Sequence, residues 1–184
     1  MFSEAGKKFV NSSPIQGASD PINLFPSLLK KIITPEIITT VLGYNWPNYF
    51  SQYFQFAKIS AFEVNEGQII QYRKLTGDNE TTIEALDIVT PKGLKFIKET
   101  QPDLLFLSNI LDYSTERELL NFTTNLLDFN IPYLFFTQLA PFSRRSTLRN
   151  ETFAWPTLQE GGYKLKKVKQ RGDPSEALLF SLEG

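Results

Sequence analysis

A chain of 184 residues that contains no histidine and no cysteine has few ways to do chemistry. A zinc site of the usual kind needs those side chains, so no metal site is expected. A cysteine nucleophile, a Ser-His-Asp triad and a histidine general base are excluded as well. What remains are carboxylates, Lys, Arg, Tyr, Ser, Thr, Asn and the backbone. Several stretches carry such groups directly after apolar runs. Gly43 and Asn45 follow the β-branched run IITTVL, and Glu63 stands at the end of KISAFEV. Asp87 comes at the end of the weaker run 81–88, and Ser108, Asn109, Asp112 and Tyr113 follow DLLFL. Asp112 and Tyr113 are the candidate catalytic residues, with the Asp a possible base toward an alcohol or amine. The competing role for Asp112 is to cap the helix that follows, beside its positive end. Arg144, Arg145 and Arg149 suit a phosphorylated or acidic acceptor. Lys164, Lys166, Lys167, Lys169 and Arg171 crowd one segment, and such a strand also defends a sheet edge against unwanted pairing.

The elements that must position these groups follow from periodicity and capping. Residues 1–21 are rich in Ser, Gly, Pro and Lys and read as an N-terminal arm, with one domain over 22–184. Apolar residues at helical spacing predict a helix over 22–33, and Pro47 opens another over 47–57. Strands are expected at 37–42, 58–64, 81–88, 103–107 and 132–137. Helices are expected over 66–75, 91–100 and 114–129. The last of these has Ser114 or Thr115 as cap, acids in its first turn and Asn130 in the left-handed closing position. After the fifth strand the residues read as a long loop. Two further strands, 163–170 and 177–182, then form a terminal hairpin.

Apolar strands alternating with helices imply a parallel sheet covered on both faces. The expected fold is α/β: a doubly wound, Rossmann-like, mostly parallel seven-stranded sheet with a C-terminal antiparallel hairpin. Ligands of such sheets lie beyond the carboxyl ends of the strands, where the strand order reverses. Gly43 to Asn48, Glu63, and Ser108 to Asp112 should therefore share one crevice.

The order resembles class I S-adenosylmethionine-dependent methyltransferases over about residues 22–183. TTVLGYNWPNYFSQYF is similar to that family's first strand, cofactor loop and next helix. KISAFEVNEGQIIQYRKL resembles the second strand with its terminal acid, PDLLFLSNILDY the fourth strand with its loop, and GGYKLKKVKQRGDPSEALLFSLEG the closing hairpin after a helix ending in Gly-Tyr. The resemblance implies S-adenosylmethionine as cofactor, Glu63 on the ribose hydroxyls and Asp87 near the adenine. It also implies Gly43, Asn45, Ser108 and Asn109 as further cofactor-binding residues. One departure stands out: the family's glycine-rich first loop is replaced by Gly43-Tyr44-Asn45-Trp46-Pro47-Asn48. Trp46 and Pro47 would crowd a backbone that must come close to the cofactor.

Two functions lead, ahead of a third, a different Rossmann-like nucleotide or sugar-nucleotide enzyme, against whose dinucleotide form the missing glycine-rich fingerprint counts. The first is methyl transfer to a small acceptor, driven by proximity and needing no histidine. The second is a catalytically inactive domain that serves as a binding or structural subunit of a larger assembly. Trp46, Tyr49, Phe50, Tyr53 and Phe54 would then be the protein-docking surface. A net charge of −1 does not indicate nucleic acid as partner. No apolar run reaches the roughly 18 residues of a membrane span, and the expected location is the cytoplasm.

Overall fold

The computed structural model describes residues 39–43, 58–77, 79–108, 110–111, 114–139, 150–169 and 175–182. Expectations for the arm 1–21, the helices 22–33 and 47–57, and residues 140–149 fall outside them. The described residues form seven strands: β1 (Thr39–Gly43), β2 (Lys58–Glu63), β3 (Thr82–Ala85), β4 (Leu104–Ser108), β5 (Tyr133–Leu139), β6 (Tyr163–Lys169) and β7 (Ser175–Leu182). They pair in the order β3-β2-β1-β4-β5-β7-β6. β1 to β5 run parallel to their neighbours, and β7 is antiparallel to both β5 and β6. Among the described residues four α-helices lie between them: α1 (Glu66–Thr76), α2 (Pro91–Thr100), α3 (Glu116–Phe129) and α4 (Trp155–Glu160). None of the described helices is long and apolar enough to cross a membrane.

Local chemistry explains the helix ends. In α1 the Asn65 side chain accepts from the Gly67 N–H at 2.9 Å, and Gly77 closes the helix at φ +70°. Thr90 caps α2 ahead of Pro91, whose missing N–H costs nothing in a first turn. α3 carries a reciprocal capping box. The Thr115 N–H donates to Glu118 Oε2 at 2.9 Å, and the Glu118 N–H donates to Thr115 Oγ1 at 3.3 Å. Asn130 ends it at φ 52°, the left-handed closure expected of it.

Packing follows the alternation of side chains along each strand. Phe62, Leu105, Leu107, Leu134, Phe136, Leu178 and Phe180 belong to one buried cluster on one face of the sheet. Leu94 and Ile97 of α2, Leu119, Phe122 and Leu126 of α3, and Trp155 and Leu158 of α4 close over them. Each such side chain contributes roughly 1.5–3 kcal/mol by leaving water. On the other face Phe106 and Phe135 stack at 5.2 Å with their rings nearly parallel. Right-handed crossovers account for the division. The chain moves outward from β1 to β3 and then back across the sheet to β4, so α1 and α2 take opposite faces.

Two expectations need correction. The third strand ends at Ala85 rather than 88, and Leu86 to Val89 form a buried turn. The segment before the hairpin is not a loop throughout: residues Asn150–Ala154 form a π-helical turn that leads into α4. Pro156 supplies the reason. It has no N–H for the carbonyl of Thr152, and its ring crowds that carbonyl, so the backbone widens there.

Both sheet edges are guarded by cations. At β3, Arg73 donates to the Thr81 carbonyl at 3.2 Å and Lys92 to the Ala85 carbonyl at 3.0 Å. At β6, Lys164 and Lys166 are exposed on the terminal strand, in keeping with edge defence.

One buried bond fixes the start of β6. The Tyr163 hydroxyl donates to the Ile131 carbonyl at 2.8 Å, and burial pushes the phenol up to about 12 from its usual 10.0. The neutral phenol is the form the fold favours. Its contribution is complete below pH 10 and is lost as pH climbs from 10 toward 12. Tyr163→Phe strands a buried carbonyl, so a loss of about 1–2 kcal/mol is expected in urea denaturation. The variant should also lose less stability than the parent between those two pH values; an identical alkaline profile would refute this account.

Candidate functional site

The site is built at the carboxyl rim of the parallel strands. Gly43, the last residue of β1, pairs with Phe62, and Glu63 is the next residue of β2. Neighbouring strands lie about 4.8 Å apart, so Gly43 and Glu63 are adjacent at the rim. Ala61, Leu42, Phe106 and Phe135 form one row across the sheet. Two residues further toward the rim, the same face carries Glu63 on β2, Ser108 on β4 and Thr137 on β5, the last two paired in register. An apolar row thus gives way to a polar one at the level where an α/β sheet takes its ligand. Glu63 and Ser108, two strands apart, are separated by roughly 10 Å.

Glu63 is buried, with 5% of its surface exposed. Its Oε1 accepts the Asn65 N–H at 2.9 Å, just ahead of α1. Burial pushes its carboxyl above the usual range, and the backbone N–H groups of Asn65 and Val64 pull it partly back. A carboxylate has about four lone-pair sites. Two backbone donors leave room for two more hydrogen bonds, the number a ribose diol offers.

Asp87 lies beside it, in the turn after β3 rather than at the strand end. It is buried, and its Oδ1 accepts the Val89 N–H at 3.3 Å. Its carbonyl accepts both the Thr90 hydroxyl at 2.6 Å and the Thr90 N–H at 3.2 Å. The Leu86 N–H donates to the Glu63 carbonyl at 3.0 Å, which ties this turn to the tip of β2. Gly43, Glu63, Asp87 and Ser108 are therefore brought to one rim. Asn45, Asn109, Asp112 and Tyr113 lie outside the described residues, as do Trp46, Tyr49, Phe50, Tyr53, Phe54, Arg144, Arg145 and Arg149. Among the described residues no cluster of acids could hold a metal ion. Thr137 was not singled out by its sequence, although a hydroxyl ending the apolar run YLFF was a signal for it.

This strand order, with β7 inserted antiparallel between β5 and β6, defines the class I methyltransferase fold. Solved structures agree. The chain is similar to the N-methyltransferase NodS of Bradyrhizobium japonicum, determined with S-adenosyl-L-homocysteine, at TM-score 0.64 and 15% identity over 98% of this chain and 97% of that one. It is similar to magnesium protoporphyrin IX methyltransferase of Synechocystis, determined with S-adenosylmethionine, at TM-score 0.63 and 11% identity over 98% and 90%. An O-methyltransferase family protein of Burkholderia thailandensis matches at TM-score 0.57 and 9% identity over 88% of this chain and 57% of that one. At these identities the likeness establishes the fold. No family model matches the chain, and no curated protein matches it in sequence.

Proposed function

We propose that the chain binds S-adenosylmethionine at this rim and passes its methyl group to a small acceptor. The observation that carries the reading is Glu63: a buried carboxylate at the tip of β2, one residue past the partner of Gly43, with hydrogen-bonding capacity to spare. When bound, the cofactor supplies an electrophilic methyl on a sulfonium. The protein's part is to bind and orient. Glu63 accepts the ribose hydroxyls, Asp87 lies toward the adenine, and Gly43 lets the chain turn beside the ligand. In this reading Ser108, Asn45 and Asn109 are further cofactor ligands, and Asp112 and Tyr113 act toward the acceptor. Two named neighbours act on nitrogen and on a porphyrin, and a third belongs to an O-methyltransferase family. The fold alone therefore does not choose the acceptor.

The sequence of the first loop supports one rival. Trp46 and Pro47 replace glycines, which fits a domain that has lost its cofactor and serves as a binding subunit. Calorimetric titration with S-adenosylmethionine and S-adenosyl-L-homocysteine separates the two. Micromolar binding that Glu63→Ala weakens at least tenfold is the expected result, and silence at millimolar ligand hands the fold to the rival.

A further inference from the structure

Gly93 sits in the first turn of α2, although glycine is a poorer helix former than alanine. Its φ is not positive, since only Gly77 and Gly162 among the described glycines adopt that region. The reason for it is space. A Cβ at Gly93 would lie 2.3 Å from the Ile88 carbonyl oxygen and 2.4 Å from its carbon and Cα. These are backbone atoms and cannot swing aside as a side chain would.

The backbone in question is the turn that carries Asp87. Leu86, Asp87, Ile88 and Val89 are all buried. The turn is bonded at both ends: Leu86 N–H to the Glu63 carbonyl, and Thr90 N–H and hydroxyl to the Asp87 carbonyl. Thr90 Oγ1 in turn accepts the Gly93 N–H at 3.4 Å. A push at Ile88 therefore moves Asp87 and is passed to the tip of β2. We propose that Gly93 is a positioning residue for the nucleoside end of the site: its missing side chain lets α2 press the Asp87 turn against Glu63. This rests on the function proposed above.

Gly161 provides the control. A Cβ there would meet Leu127 Cδ2 at 2.2 Å, an equally close approach but to a flexible side chain. Gly161 also precedes β6, whose second residue, Lys164, is level with Tyr133 through Ser181 at the opposite end of the sheet. The test uses the full chain and measures melting temperature together with calorimetric affinity for S-adenosyl-L-homocysteine and for adenosine. Gly93→Ala, assayed well below its own melting point, should weaken both ligands tenfold or more. Gly161→Ala should lose stability but keep both affinities within twofold. A folded Gly93→Ala with unchanged affinity overturns the proposal, as does an equal loss in the two variants. If Gly93→Ala does not fold, hydrogen exchange on the unsubstituted protein decides. Saturating S-adenosyl-L-homocysteine must slow exchange at amides of 86–93, and unchanged exchange there overturns the proposal. Absence of binding by the unsubstituted protein removes the parent reading and this one together. Binding that Gly93→Ala leaves intact removes only this one.

Discussion

Glu63→Gln is expected to raise the melting temperature at pH 7 while weakening S-adenosyl-L-homocysteine roughly 10- to 100-fold. The two effects come from one cause. Burial holds the Glu63 carboxyl above its ordinary range, so the fold favours the neutral acid. The sign follows by linkage: stability from such a group is complete below the unfolded value near 4.5 and is lost as pH rises through the folded value. The penalty of an ionised buried carboxylate therefore grows as pH rises above that unfolded value. An amide of the same shape keeps an oxygen for the Asn65 N–H and removes that penalty. The gain should shrink toward acid pH, where the parent carboxyl is itself neutral. A ribose diol reverses the balance, because hydrogen bonds to a charged acceptor are worth about 1.5–3 kcal/mol each. Thermal melts at pH 7 and pH 4.5, with calorimetry at pH 7, check both halves. A Glu63→Gln protein that is less stable at neutral pH would mean that backbone donors outweigh burial. One that binds as well as the parent would place the ligand elsewhere.

Phe136→Ala should cost about 3–5 kcal/mol, whereas Trp155→Phe should cost less than about 1.5 kcal/mol although it also removes buried atoms. Phe136 is buried between sheet and helix, 5.2 Å from the Trp155 ring and 5.8 Å from the Phe180 ring. Its truncation leaves a cavity among rings that cannot collapse onto it. For a domain of this size the melting temperature should fall by roughly 6–20 °C. Trp155 is equally buried and lies 5.2 Å from Phe180, but its indole Nε1 has no hydrogen-bond partner among the described residues. An unsatisfied buried donor costs about 1–3 kcal/mol, and phenylalanine lacks it, which offsets most of the lost contact. Urea denaturation followed by circular dichroism measures both. If Trp155→Phe proves as damaging as Phe136→Ala, the indole N–H is satisfied in solution and the offset does not exist.

Where sequence and structure agree, several weak signals point the same way. α3 was legible because its cap, its acidic first turn, its apolar stripe and its terminal Asn130 all name one helix. α2 was legible from Pro91. β3 was read too long because Leu86 and Ile88 are as apolar as a strand, and composition does not separate a buried turn from a ladder. α4 was missed by periodicity because six residues with only Trp155 and Leu158 buried do not complete a repeat. Glu63 could be placed from its strand end alone. Gly93 and Thr137 could not, because what they touch comes from segments distant in sequence.

β7 follows β6 along the chain yet lies between it and β5. During synthesis the flank of β5, with Leu134, Phe135 and Phe136, therefore has no neighbour until Ser175–Leu182 leaves the ribosome. An unpaired apolar strand in a half-made sheet invites association with other nascent chains. Of the seven strands β7 is the last in chain order, so the open flank of β5 gains its partner only after the other six have been made.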